Sequence, residues 1–527
     1  MMREFLLSIS ADRWILLAMI AWPIVAAAIV RVLGRDVARD ESGMEAPSGG
    51  PDARVLTLIA LGIEASLGLA LWGLFDRSVD GWQARVDFPW LTDLGAAFSV
   101  GVDGMSLVLV VMTVLLLPLT LLGSWNNVRR QTPSFGAFAL LLTSGMVGVF
   151  VSLDLLLFYT MWELMLIPTY FLIGIWGRAG SSGASLKYVI FTFLGSLLML
   201  VAIVGLWHLG GGTSFHLDHL RTITIAPNVQ LWMFIAFFLA FGVKSALVPF
   251  HTWLPDAQTG APTLAAVTLG VKVGLYALLR FSIPLFPDAA THEPMRNTIL
   301  ALSVISIIYG ALLAMTQKDF KRLASYSSIS HVGFIMLGCF MLTEQSTDGA
   351  VMAILASGVS TSALFLLAGM LEDRRGTTDF AAFGGLARAV PLYSVMLTLV
   401  MLSVIGLPGT NGFIGEFLVL IGTYAVRPVL AIVATSGVIF AAIYGLRALQ
   451  DILFARSTPP GTGAPIRDLD RRELIVMGVF AVVIIWLGVA PAGVLRHIEG
   501  SNAAAVIDQS AVRVPATGAD VVAQVTR

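Results

Sequence analysis

From residue 13 to residue 33 the chain reads RWILLAMIAWPIVAAAIVRVL, and runs of this kind recur almost to its end. About 20 mainly apolar residues suffice for a helix to cross the hydrocarbon core of a bilayer. The sequence divides into fourteen such stretches: 13–33, 54–76, 105–124, 135–152, 154–176, 188–209, 230–249, 262–286, 297–316, 322–343, 349–371, 390–424, 427–453 and 473–493. Only 12% of the 527 residues are charged, against about 25% in soluble proteins, so most of the chain has no water-facing side. A membrane barrel needs ten-residue segments of alternating polarity, and none is apparent. The expected fold class is an all-α polytopic membrane protein. No small-residue cleavage site follows the first stretch, which is expected to stay as an anchor.

Several function classes drop out. A net charge of −1 offers nothing for nucleic acid. Cys339 stands alone, which rules out an internal disulfide or a cysteine metal site. HLDH, His216 to His219, is a weak metal pattern in a Gly-rich loop, and no metal centre is expected. No stretch has the pattern of a nucleotide or flavin domain. Loop 34–53 and the tail from about 499 are polar, Gly/Pro/Ala-rich and expected to be mobile.

Loops after odd-numbered stretches hold most of the Lys and Arg, among them Arg129, Arg130, Arg178, Lys318, Lys321, Arg322, Arg374 and Arg375. Those after even-numbered stretches hold Arg77, Arg85, Arg221, Arg296 and Arg427. The positive-inside rule then places both termini on the non-cytoplasmic side.

Ionisable residues inside these stretches cost about 2.5–3.5 kcal/mol each on insertion scales and point to function. They are Glu64, Glu163, Lys244, Lys272, Arg280, His331 and Glu416. Arg280 and Arg447 have the option of snorkelling to the headgroups, and Glu64 of seating against a neighbouring chain. Glu163, Lys244 and Lys272 lie too deep for that. An ammonium beside a carboxylate keeps its charge, and one left alone in a dry site gives its proton up. A Glu163–Lys244 pair would therefore act as a coupled proton switch, a task for Lys because Arg does not release its proton.

Pro249, in LVPFHTWLP with His251, breaks the Lys244 stretch; Pro408 and its flanking glycines break the Glu416 stretch. Broken membrane helices occur where protein or water satisfies the freed backbone, and two of them in one chain suggest a repeated transporter architecture. Between them, Tyr326, Ser327, Ser328 and Ser330 precede His331, the side chain that titrates nearest neutrality. Ser357, Ser360 and Thr361 share a helix face, either lining a wet path or gluing helices together.

WELMLIPTYFLIGIWG, VKSALVPFHTWLPDAQTGAPT, QKDFKRLASYSSISHVGF and GLPGTNGFIGEF resemble the antiporter-like membrane subunits of respiratory complex I. The resemblance covers roughly 101–456. It implies two inverted five-helix repeats with broken helices, at 135–286 and 297–456, preceded by helices in 1–134 and followed by a last helix and tail in 457–527. It assigns proton translocation to Glu163, Lys244, Lys272, His331 and Glu416, supported by His251, Ser327, Ser330, Ser357 and Lys321. Glutamate at the final position is the pattern of the M-like branch. Three departures stand out: Ser357 where the family usually has histidine, Gln258 where histidine is common, and a shorter 263–272 segment.

The function so implied is proton pumping in a complex I-type NADH:quinone oxidoreductase of a bacterial cytoplasmic membrane, beside L-like and N-like chains. The chain itself would carry no cofactor, with NADH, FMN, iron–sulfur clusters and quinone in other subunits. Mrp-type cation/proton antiporters, membrane hydrogenases and a non-pumping spacer are the alternatives.

Overall fold

A computed structural model describes residues 2–36, 50–79, 81–455 and 466–499. Among them thirteen helices are long and apolar enough to cross a membrane, from Ala11–Leu33 to Arg471–Val489. The remaining stretch, 390–424, is split into Pro391–Val404 and Asn411–Val426. The chain is therefore a multi-pass helical membrane protein. The closely spaced stretches 135–152 and 154–176 are separate helices, Thr132–Val151 and Leu155–Trp176. Asp154 makes the second start possible by accepting the backbone N–H groups of Leu156 and Leu157 at 2.9 and 3.1 Å, which satisfies donors a helix start leaves free.

Burial ranks the helices. The most hydrophobic window of Glu344–Arg375 is wholly buried and that of Thr263–Leu285 is 94% buried, whereas that of Pro428–Phe454 is only 33% buried. The first two are core helices; the last shows Val429, Ile432 and Ile439 to the surroundings. Helices Glu293–Thr316 and Phe320–Met341 pack along each other beside the core.

One element escapes a reading that admits helices alone. Strand β1 (Gln83–Leu91) and strand β2 (Ala96–Val102) form an antiparallel hairpin with Val86 opposite Val100 and Phe88 opposite Phe98. Its apolar runs are too short for periodicity to separate strand from helix. Of the segments expected to be mobile, residues 37–49 and 500–527 lie outside the described residues.

Four of the ionisable residues singled out in the sequence sit at or just after breaks. Helix Pro227–Lys244 ends on its lysine, and the chain resumes helix only at Trp253. Lys272 stands between helices Thr263–Gly270 and Val273–Ala277. Glu163 lies two residues before Met165, where Leu155–Leu164 gives way to Leu166–Trp176. Glu416 follows the 405–410 break, where Gly406 and Gly409 adopt φ of 74° and 90°, a region only glycine enters cheaply.

Candidate functional site

Lys244 and Glu163 face one region but do not touch. The Lys244 ammonium donates to the Tyr188 hydroxyl at 2.9 Å and sits 5.5 Å from the centre of the Trp162 ring and 5.2 Å from that of Tyr188. Ring faces stabilise a desolvated cation electrostatically. One carboxylate oxygen of Glu163 is buried with no hydrogen-bond partner among the described residues, and Lys244 acts on the carboxylate through space. The contact ion pair expected from the sequence is therefore open here, with a phenol in the carboxylate's place. Lys244 and Tyr188 also line a cavity of about 20 Å³ that reaches Thr268 and Val271, beside the Lys272 break. That is room for about one water.

Lys272, 3% exposed, donates to the Ser328 hydroxyl. Ser328 lies three residues before His331 on one continuous helix, Phe320–Met341, so the two side chains share a face. His331 Nδ1 then meets Glu416 Oε1 at 2.8 Å. A Cβ on Gly406 would come within 3.0 Å of the other Glu416 oxygen, so the glycine both makes the turn and leaves room for the carboxylate. Lys272, His331 and Glu416 are thus brought into one buried line.

Beside His331 and Glu416 lies a cavity of about 10 Å³, lined also by Ser357, Ser360, Thr361 and Ser403. The Ser357 hydroxyl is buried without a hydrogen-bond partner among the described residues. Ser360 bonds to Ser403 at 2.7 Å and to Asn411 at 3.1 Å, and Ser403 donates to Asn411 at 2.5 Å. Sequence reasoning missed Tyr188, Ser403 and Asn411. Asn411 had a signal, as a polar residue opening the helix after a Gly-Pro break.

The supporting residues are placed unevenly. Ser327 and Ser330 donate to the backbone carbonyls of Ala324 and Ile307 at 2.9 and 2.8 Å. His251 stands edge-on to Tyr309 at 5.4 Å, its Nδ1 buried with no hydrogen-bond partner among the described residues. Lys321 lies off the line: it pairs with Glu372 at 2.5 Å, which also holds Arg178. Arg280 does not snorkel. Its guanidinium binds both oxygens of Asp103 at 2.5 and 2.6 Å under the Trp82 ring. Glu64 is fully buried within this chain, with neither oxygen hydrogen-bonded among the described residues, so it does not face a neighbour. The histidines of HLDH are turned to different partners: His216 Nε2 to Ser99 at 3.1 Å and His219 to the Gly210 carbonyl at 3.2 Å.

Residues 152–441 match the family model described as NADH:quinone oxidoreductase/Mrp antiporter, transmembrane. NADH-quinone oxidoreductase subunit M of Rhodobacter capsulatus is 38% identical over 495 residues, 91% of this chain and 94% of that protein. Its counterpart in Escherichia coli K12 is 35% identical over 460 residues, 84% of this chain and 90% of that one. A chain of respiratory complex I from Thermus thermophilus with bound NADH superposes with a TM-score of 0.82 at 32% identity, covering 93% of this chain and all of that one. A chain of the Mrp complex from Dietzia sp. gives 0.77 at 22% identity, over 93% of this chain and 52% of that one, which shows a shared fold.

Proposed function

As the chain belongs to the NADH:quinone oxidoreductase/Mrp antiporter transmembrane family, we propose that it is a non-redox, proton-translocating subunit of a complex I-type oxidoreductase. The observation that carries this reading is the buried line from Lys272 through Ser328 and His331 to Glu416. A proton leaving the Lys272 ammonium passes by way of the Ser328 hydroxyl and water to His331. The imidazolium so formed hands it to the Glu416 carboxylate, and Lys272 is left neutral to be recharged from the Lys244 side through the small water-sized cavity. Each transfer breaks one N–H or O–H bond and forms another, so no electron moves in this chain.

Driving a proton against 100 mV takes about 2.3 kcal/mol, which electron transfer in partner subunits would supply. The membrane would be a bacterial cytoplasmic membrane with both termini outside, and the neighbours L-like and N-like chains. Relatives at 35–38% identity favour the oxidoreductase over the Mrp reading, whose structure is 22% identical.

Lys272→Met keeps an unbranched side chain, one atom shorter, and removes the transferable proton. Inverted vesicles carrying this variant should oxidise NADH through an assembled complex while moving fewer protons per electron. An unchanged proton-to-electron ratio would sink the proposal. Ser357→Leu tests the far end. It removes a hydroxyl and fills a cavity with room for about one water, so the ratio should fall in an assembled complex. If Ser357 only lets helices approach, the complex should instead fail to assemble; an assembled variant with the parent's ratio excludes any role for the water.

A further inference from the structure

Helices Ala53–Leu74 and Arg471–Val489 both pack on helix Gly104–Gly123, and together they frame a groove of about 480 Å³. Along its floor run Val108, Val111, Met112, Leu115 and Leu119 of Gly104–Gly123, beside Leu355 and Val359 of Glu344–Arg375. Val111 and Met112 are only 8% and 6% exposed, whereas Leu69, Val479 and Trp486 at the rims are exposed. The groove therefore reaches past the surface of the bundle. No lining side chain is charged.

Its shape selects what fills it. From Val108 to Leu119 the helix rises about 17 Å. A volume of about 480 Å³ spread along about 17 Å leaves a mean cross-section of about 30 Å², and a helix about 10–12 Å across needs roughly 80 Å² or more. A second helix does not fit, and one extended hydrocarbon chain does. Lipid tails are as apolar as leucine, and empty space between apolar side chains forfeits their dispersion contacts.

One end of the groove carries charge. Trp72 and Trp486 line it close to the ends of their helices, and tryptophan marks the headgroup level of a bilayer. The Trp72 ring lies 4.2 Å from the ring of His497. His497 Nδ1 donates to the Gly493 carbonyl at 2.8 Å, so its Nε2 is the acceptor for Arg77 Nε at 2.9 Å. Arg77 is thus held beside the groove with its two terminal nitrogens unbonded among the described residues, the fork that suits a phosphate. Arg496 is exposed next to His497, and the adjoining carboxylate, Asp76, is taken by Arg3 at 2.8 Å.

We propose that this groove binds one acyl chain of a phospholipid whose phosphate sits on Arg77, with Arg496 beside it. The tail also backs the helix that borders the Glu416 cavity. Ser357, which lines that cavity, lies two residues from both Leu355 and Val359 and so faces the opposite side of the helix. Between them Gly358 abuts Met112, whose sulfur would lie 2.6 Å from a Cβ there. The site stands whether or not the chain pumps protons.

The test uses the whole complex in phosphatidylethanolamine vesicles doped with phosphatidylglycerol or with diacylglycerol, each carrying a diazirine on one acyl chain. After illumination, mass spectrometry should find more label on residues 108–119 and 479–487 than on residues 194–201, where Leu194 and Val201 are exposed at the surface. Leu115→Trp narrows the groove and should remove most of the label from 108–119 while leaving 194–201 unchanged. Arg77→Gln should lower labelling by phosphatidylglycerol about tenfold, the loss expected for one charge-assisted contact, and leave labelling by diacylglycerol unchanged. Equal labelling of the groove and of 194–201 would mean a surface layer of lipid only and overturns the site, as does full labelling of Leu115→Trp. Cross-linking of 108–119 to another subunit, without lipid label, overturns it too. Equal labelling by the two lipids, or no effect of Arg77→Gln, refutes the phosphate contact. Should Leu115→Trp not assemble, the comparison of 108–119 with 194–201 in the parent decides.

Discussion

Glu416→Gln should leave the complex assembled and slow proton transfer through this chain by about 10²-fold or more, the usual loss when a positioned proton-transfer group is removed. Glutamine nearly matches the shape of the carboxylate, and its amide oxygen can still accept from His331 Nδ1, now 2.8 Å from Glu416 Oε1. The contact is preserved and the capacity to take the proton is not. His331→Ala should give a similar loss, because it empties the step between Ser328 and Glu416. Glu416→Asp is a finer probe: shortening the side chain by one methylene pulls the carboxylate away from His331 while keeping it titratable. The check is the ratio of protons moved to NADH oxidised in vesicles, with assembly confirmed separately. Normal pumping by Glu416→Gln would remove the terminal residue from the line.

How far the sequence could be read follows from what the bilayer penalises. Every backbone group in hydrocarbon must be bonded internally, so apolar stretches can be read as helices with little ambiguity, and even the boundary near residue 153 is visible. Lys272 and Glu416 are conspicuous for the same reason: nothing apolar conceals their cost.

Partners are another matter. Tyr188 lies 56 residues from the lysine it binds, and Asp103 lies 177 from Arg280; spacing along a helix says which face a residue is on, not which helix arrives opposite. Charge alone suggested that Lys244 would meet Glu163, yet an ammonium is also content with a phenol and two aromatic faces. Lys321, a supporting residue by the resemblance, belongs to a clamp with Glu372 and Arg178. The hairpin at Gln83–Val102 connects the spans Ala53–Leu74 and Gly104–Gly123, and a connection between spans is not held to helix by the need to bond its backbone internally.

The open geometry around Lys244 makes its substitutions the second large effect. The ammonium is held by the Tyr188 hydroxyl at 2.9 Å and by two ring faces, with Glu163 near enough to act on it but not in contact. Tyr188 and Trp162 are neutral, so in the proposed pump the Glu163 carboxylate is the charge whose position would set whether the lysine keeps its proton or passes it on.

Lys244→Ala removes the carrier, leaves the Tyr188 hydroxyl without its partner, and should largely abolish pumping through this chain. Packing loss could mimic that result, so Lys244→Arg is the sharper variant. Its guanidinium keeps the charge and a donor for the Tyr188 hydroxyl, but it does not release a proton. Lys244→Arg should therefore assemble, pass electrons, and pump poorly. Tyr188→Phe should be milder, since it costs one charge-assisted hydrogen bond of about 1.5–3 kcal/mol and leaves the rings in place. Vesicle pumping ratios for the three variants give the order: Ala and Arg low, Phe intermediate. If Lys244→Arg pumps at the parent's ratio, a fixed positive charge is enough at this position and Lys244 is not a proton carrier.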